Sequence, residues 1–156
     1  MSKIEIGAPG WQDAHLEMYL RTDGAEGHIV DFSRAGGPAR TPCLILKTTG
    51  RKSGEARLHP LIYGEDGGRF VIVASKGGAP QHPAWYLNLE AQPEVEIQVV
   101  DKKYRGVART AQGDERERLF AMMAEIFPPY LAYKARTERE IPVVVIETSG
   151  EIAGLQ

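Results

Sequence analysis

The chain has 156 residues, a formal charge of −2, 42% hydrophobic and 26% charged content, and one cysteine. That length suits one domain (residues 1–156) with a proper core, and the near-neutral charge excludes a nucleic-acid binder built on a domain-wide basic excess. The lone Cys43 has no intrachain partner, the N-terminal MSKIEIGAPG lacks the apolar stretch of a signal peptide, and no apolar run reaches membrane-spanning length, so a reducing, cytoplasmic setting is expected. In chain order, 11–22 reads as an amphipathic helix ended by Asp23-Gly24. Residues 24–42 read as a glycine-rich loop with one short strand near His28–Phe32. Strand signals follow at 43–49, 56–63, 69–75, 94–100 and 103–111. The second and third of these should form a hairpin across Gly64–Gly68, and the last two a hairpin across Asp101-Lys102. Between the hairpins, 82–92 predicts a helix with Pro83 in its first turn and Pro93 beyond its end. A further helix starts at Asp114, with Glu117 as a capping-box partner, and carries Leu119, Phe120, Met123, Ile126 and Phe127 on its apolar side. Pro128-Pro129 stops it; a short tyrosine-bearing helix and a buried strand, 143-VVVIE-147, close the chain. Residues 1–40 thus supply a helix and loop, and 41–156 a small antiparallel barrel with covering helices. Hairpins separated by short helices argue for this mostly β (α+β) fold rather than a regular βαβ fold.

Two segments carry chemistry. In 48-TTGRKSGEAR-57 a short turn between two strands holds Arg51, Lys52 and Arg57. Ser53 and two threonines offer hydroxyls there, and Gly50 and Gly54 let backbone N–H groups converge on an anion. Arginine adds bidentate geometry toward phosphate or carboxylate. The turn is not a P-loop, because Arg51 stands before Lys52 and a strand follows. In 74-ASKGGAPQHPAWYLN-88 a strand ends at Ser75-Lys76-Gly77-Gly78 and a helix then opens. The glycine pair permits close approach of a flat ligand, the helix start favours a phosphate or ring carbonyl, and Trp85 and Tyr86 can wall an aromatic ring. The four histidines have no metal-ligand spacing, so no metal is expected. Ser75 and His82 lack a G-x-S-x-G elbow, and no G-x-G-x-x-G follows a strand, which counts against a Rossmann nicotinamide site. From the residues alone the reading stops at a barrel that holds a flat ligand with an anionic tail.

The runs 44-LILKTTGRKSGEARLHPLIY-63, 71-VIVASKGGAPQHPAWYLNLEAQPEVEI-97 and 127-FPPYLAYKARTEREIPVVVIE-147 together resemble the deazaflavin (coenzyme F420)-dependent nitroreductase and quinone reductase family. The likeness implies a split β-barrel of the flavin-reductase type that binds F420, whose flexible tail carries several negative charges. By motif, Arg51, Lys52, Ser53 and Arg57 should hold the phosphate and tail. Leu58, His59, Pro60, Leu61 and Ile62 should line the ring, with Val73, Ala74, Ser75 and Lys76 beside them. Ala84, Trp85, Tyr86, Leu87 and Asn88 should close the other side. Tyr130 and Tyr133 should sit over the acceptor, and Ser75, Tyr130 and Tyr133 are the expected catalytic groups. Some members carry an aromatic residue at the position of Ile62 and a tyrosine at that of Phe127, so this rim is more apolar. The resemblance implies hydride transfer from reduced F420 to a small organic acceptor such as a quinone or nitroaromatic. It leaves open an FMN-dependent reductase on the same barrel, a non-catalytic F420-binding protein, a homodimer and peripheral membrane contact.

Overall fold

A computed structural model describes residues 4–155; residues 1–3 and 156, at the ends of the expected domain, lie outside the described residues. Eight strands form one antiparallel sheet: β1 (Ile29–Val30), β2 (Thr41–Thr49), β3 (Ala56–Ile62), β4 (Gly64–Asp66), β5 (Arg69–Val73), β6 (Glu94–Val99), β7 (Lys102–Thr110) and β8 (Val143–Ile152). Their order is β1-β2-β6-β7-β8-β5-β4, with β3 paired to β2, and the sheet curls into a half-barrel. Among the described residues four α-helices accompany it: α1 (Trp11–Arg21), α2 (Ala84–Ala91), α3 (Gly113–Ile126) and α4 (Pro129–Arg136).

The two-residue period of the strands divides the apolar side chains between two cores. In β8, Val143 and Val145 meet Leu119, Phe120 and Met123 of α3 and Tyr130 of α4. Val144 and Ile146 face the other way, against Trp85, Tyr86 and Leu89 of α2. A run buried on both faces is therefore continuously apolar, as 143-VVVI-146 is. The curl is sharpened by a register shift between Arg105 and Gly106 where β7 pairs with β8. A Cβ on Gly106 would stand 3.0 Å from the Glu147 carbonyl oxygen, so the close strand approach needs glycine.

Three local expectations are corrected. First, β3 pairs along its length with β2 across the basic turn, not with β5. The segment expected as its hairpin loop instead contributes β4, which pairs with β5 through a tight Gly67-Gly68 turn with φ of 58° and 85°. Second, the β6–β7 turn is Val100-Asp101, because Val99 is in register with Lys102. Val100 takes φ 58°, unusual for a branched side chain. It is fixed from outside: its N–H donates to the Tyr19 hydroxyl at 2.8 Å, and a Cβ on Gly24 would lie 2.4 Å from its Cα. That contact seats the end of α1 on the sheet. Third, α3 starts at Gly113 with no side-chain cap; Glu117 accepts from Arg116 Nη1 at 2.9 Å instead. Among the described residues no helix is long and apolar enough to cross a membrane.

Candidate active site

Two adjoining clefts run along β3 and the start of α2. The first has a volume of about 320 Å³ and is mainly apolar. One wall is Pro60, Leu61 and Ile62 of β3; another is Val73, Ser75, Lys76 and Gly77 at the end of β5. Pro83 and Trp85 close the α2 side, and Phe127, Tyr130 and Tyr133 form the α3–α4 side. The second cleft, about 260 Å³, is lined by Gly50, Arg51, Lys52, Ser53, Arg57, His59, Ala84 and Asn88. Neighbours in sequence divide between the two, His59 with Pro60 and Ala84 with Trp85. An apolar slot thus opens beside a basic pocket.

The basic pocket is built by the β2–β3 turn. Gly50 N–H donates to the Glu55 carbonyl at 2.7 Å and Gly54 N–H to the Gly50 carbonyl at 2.8 Å, which folds the loop back on itself. Asn88, buried on α2, anchors it: its Oδ1 accepts from the Arg51 backbone N–H at 3.2 Å and from Arg51 Nη1 at 2.9 Å. Its Nδ2 donates to Thr48 Oγ1 at 3.4 Å. Arg57 is half-committed, with Nη2 3.4 Å from Ser53 Oγ and 3.5 Å from Glu55. Lys52 has no partner among the described residues and is exposed. The pocket therefore offers one guanidinium held from behind by Asn88, with Lys52 and Arg57 exposed beside it, which fits a flexible polyanion.

Aromatic contacts define the apolar slot. Phe127 meets Tyr130 edge-on at 5.0 Å between ring centroids, and Tyr130 meets Tyr133 at 6.2 Å. Phe32 meets Phe127 at 5.4 Å and Trp11 at 6.1 Å, which carries the aromatic lining to α1. Tyr130 is buried, yet its hydroxyl has no hydrogen-bond partner among the described residues. Burial drives its phenol well above the ordinary tyrosine range, so it remains a neutral donor. Cys43 lies at the slot with its thiol pushed up to about 12 by burial, which makes it a packing group rather than a nucleophile.

Most of the expected residues come together here. Arg51, Lys52, Ser53, Arg57, His59, Ala84 and Asn88 line the basic pocket, while Pro60, Leu61, Ile62, Val73, Ser75, Lys76, Trp85, Tyr130 and Tyr133 line the slot. Leu58, Ala74, Tyr86 and Leu87 line neither cleft. Ala74 is fully buried in the core, and the Tyr86 hydroxyl pairs with Thr110 Oγ1 at 2.8 Å, so alternation along strand and helix turns both away. The slot also has a wall outside the expected set: Trp11, Gln12 and His15 of α1, with the adjoining Phe32 and Ala35. Trp11 and His15 stand four apart on one helical face, the single sequence signal that points to it. His15 Nε2 donates to the Gly27 carbonyl at 2.8 Å, and burial lowers its pKa despite that bond.

The sequence pattern of the F420H(2)-dependent quinone reductase family matches residues 11–148. An F420H(2)-dependent quinone reductase of Mycobacterium tuberculosis is 40% identical over 135 residues, covering 85% of this chain and 86% of the relative. A solved F420-H2 dependent reductase is 44% identical with a TM-score of 0.64, over 68% of this chain and 94% of that one. Another solved structure, described as a domain-swapped dimer, is 37% identical with a TM-score of 0.67, over 86% and 98%.

Proposed function

The chain belongs to the F420H(2)-dependent quinone reductase family, and from that premise we propose how its own residues serve the reaction. It is an oxidoreductase that binds coenzyme F420 and passes a hydride from the reduced coenzyme to a quinone. The observation that carries the residue assignments is the junction of slot and basic pocket along β3 and the α2 start. Bound coenzyme supplies the hydride; the chain supplies position, dryness and hydrogen bonds.

Arg51, Lys52, Ser53 and Arg57 hold the phosphate and anionic tail, with Asn88 keeping Arg51 in place. Pro60, Leu61, Ile62 and Trp85 grip the flat ring, and Ser75 and Lys76 meet its polar edge. Tyr130 and Tyr133 stand at the acceptor, where the neutral Tyr130 hydroxyl donates to an oxygen that gains charge as hydride arrives. Ser75 is a second hydroxyl at the same slot. The aromatic lining keeps water from the reacting atoms. Because α1 and the barrel both line the slot, we treat the chain as one functional unit. The domain-swapped relative supports a homodimer, and the single buried thiol supports a cytoplasmic location.

The test is anaerobic turnover of protein stripped of cofactor, with a soluble naphthoquinone as acceptor. Reduced F420 should be oxidised in step with quinone loss, and NADPH in its place should give none, since no dinucleotide fingerprint is present. Steady turnover with NADPH alone would overturn the assignment.

A further inference from the structure

The segment after β5 has an unusual backbone that the roles above do not explain. Ser75 is right-handed, with φ −78° and ψ −39°, and Lys76 and Gly77 then take φ of 47° and 62°. A right-handed residue followed by a left-handed one turns successive N–H groups toward one concavity, a nest for an anionic or electron-rich oxygen. The N–H groups of Ser75, Lys76 and Gly77 have no hydrogen-bond partner among the described residues, and all three residues line the slot.

The carbonyls of the same segment are taken from behind by two arginines. Arg139 Nη2 donates to the Ser75 carbonyl at 2.6 Å, Nη1 to that of Ala74 at 3.3 Å and Nε to that of Ala79 at 2.8 Å. Nη1 also donates to His82 Nδ1 at 3.0 Å, which reaches the entry to α2. Arg136 Nη1 donates to the Gly77 carbonyl at 3.0 Å. No carboxylate pairs with Arg139 among the described residues, so its guanidinium serves peptide carbonyls and the His82 ring. A guanidinium with its planar fork makes this set of bonds; an ammonium has one donor centre and spans no more than part of it.

We propose that Arg139, assisted by Arg136, is a positioning residue that holds Ser75, Lys76 and Gly77 as a nest against an electron-rich oxygen of the coenzyme ring. The inference rests on the assignment of this wall to the ring. Arg139 touches no reacting atom; it acts by fixing which way three peptide units face. Lys76 gives the reason a clamp is needed, because a non-glycine residue held left-handed is costly unless its surroundings enforce it.

The test compares the parent, Arg139→Lys, Arg136→Ala and the double variant Arg51→Ala/Lys52→Ala. Each is titrated with whole F420 and with the coenzyme's ring and ribityl arm alone, well below its melting temperature. Arg139→Lys should weaken both ligands by the same factor, tenfold or more, and shift the visible band of the bound ring. The double variant should weaken the whole coenzyme only. Should Arg139→Lys fail to fold, Arg136→Ala decides, since its site is exposed: a two- to threefold loss for both ligands supports the nest and parent-like binding refutes it. A folded Arg139→Lys that binds both ligands like the parent overturns the inference. A parent that binds neither overturns the ring assignment itself.

Discussion

The role proposed for Tyr130 rests on what its side chain lacks. Its ring is buried among Phe127 and Tyr133, but its hydroxyl has no hydrogen-bond partner among the described residues, and the residue lines the slot. On the proposed reading, this unpartnered donor stabilises a ligand oxygen instead. Tyr130→Phe should therefore lower quinone turnover roughly tenfold or more, with melting temperature and F420 affinity nearly unchanged. An unaltered rate across a panel of quinone and nitroaromatic acceptors would assign the residue to packing alone. His15 sets a second expectation. Burial lowers its pKa from 6.5, so below that pH the unfolded chain binds a proton that the native chain resists. Protons then favour the unfolded state: His15 supports stability above pH 6.5, and the support is lost on acidification. The urea midpoint should fall from pH 7 to pH 5, and His15→Gln should flatten that slope while keeping an N–H for the Gly27 carbonyl. An identical slope in the variant would show that other groups, such as His28 and His59, carry it.

On the proposed reading, the element that joins stability to activity is α4. It packs on the turn after β5 so closely that a Cβ on Gly78 would lie 2.9 Å from the Tyr133 carbonyl oxygen and 3.1 Å from Arg136 Cβ. Gly78 also has φ 80°, which glycine alone adopts freely. Gly78→Ala should cost about 1–3 kcal/mol of stability and should cut turnover by more than that loss explains, because it lifts Tyr130 and Tyr133 from the slot. Thermal unfolding beside kcat at a temperature where the variant is folded measures both; a stability loss with parent-like kcat would separate α4 from catalysis. At this scale the sequence was informative about elements and weak about partners. Alternation in 94-EVEIQVV-100 and the proline stop after Phe127 located strand and helix. The pairing of β3 with β2 departs from expectation because strand periodicity states which face is buried, not which neighbour lies alongside. The α1 wall was out of reach for a related reason: the chain returns Trp11 and His15 to strands far away in sequence, and helical spacing does not report that.

Across the whole molecule, the division of the site into a slot and a basic pocket was legible, because three separated motifs had to converge on one ligand. What the motifs did not carry was which residue of each run faces inward; Ala74 and Tyr86 sit among site residues and face the core. The central claim is that the pocket around Arg51, Lys52 and Arg57 selects a coenzyme with a polyanionic tail. Charged contacts at this partly exposed site weaken as salt rises, whereas the ring's burial in the slot does not. The most direct measurement is a titration of stripped protein with F420 and with FMN in parallel, at low and at high ionic strength. Tight F420 binding that weakens with salt, together with much weaker FMN binding, is the predicted result. Tight FMN binding with none for F420 would contradict the account.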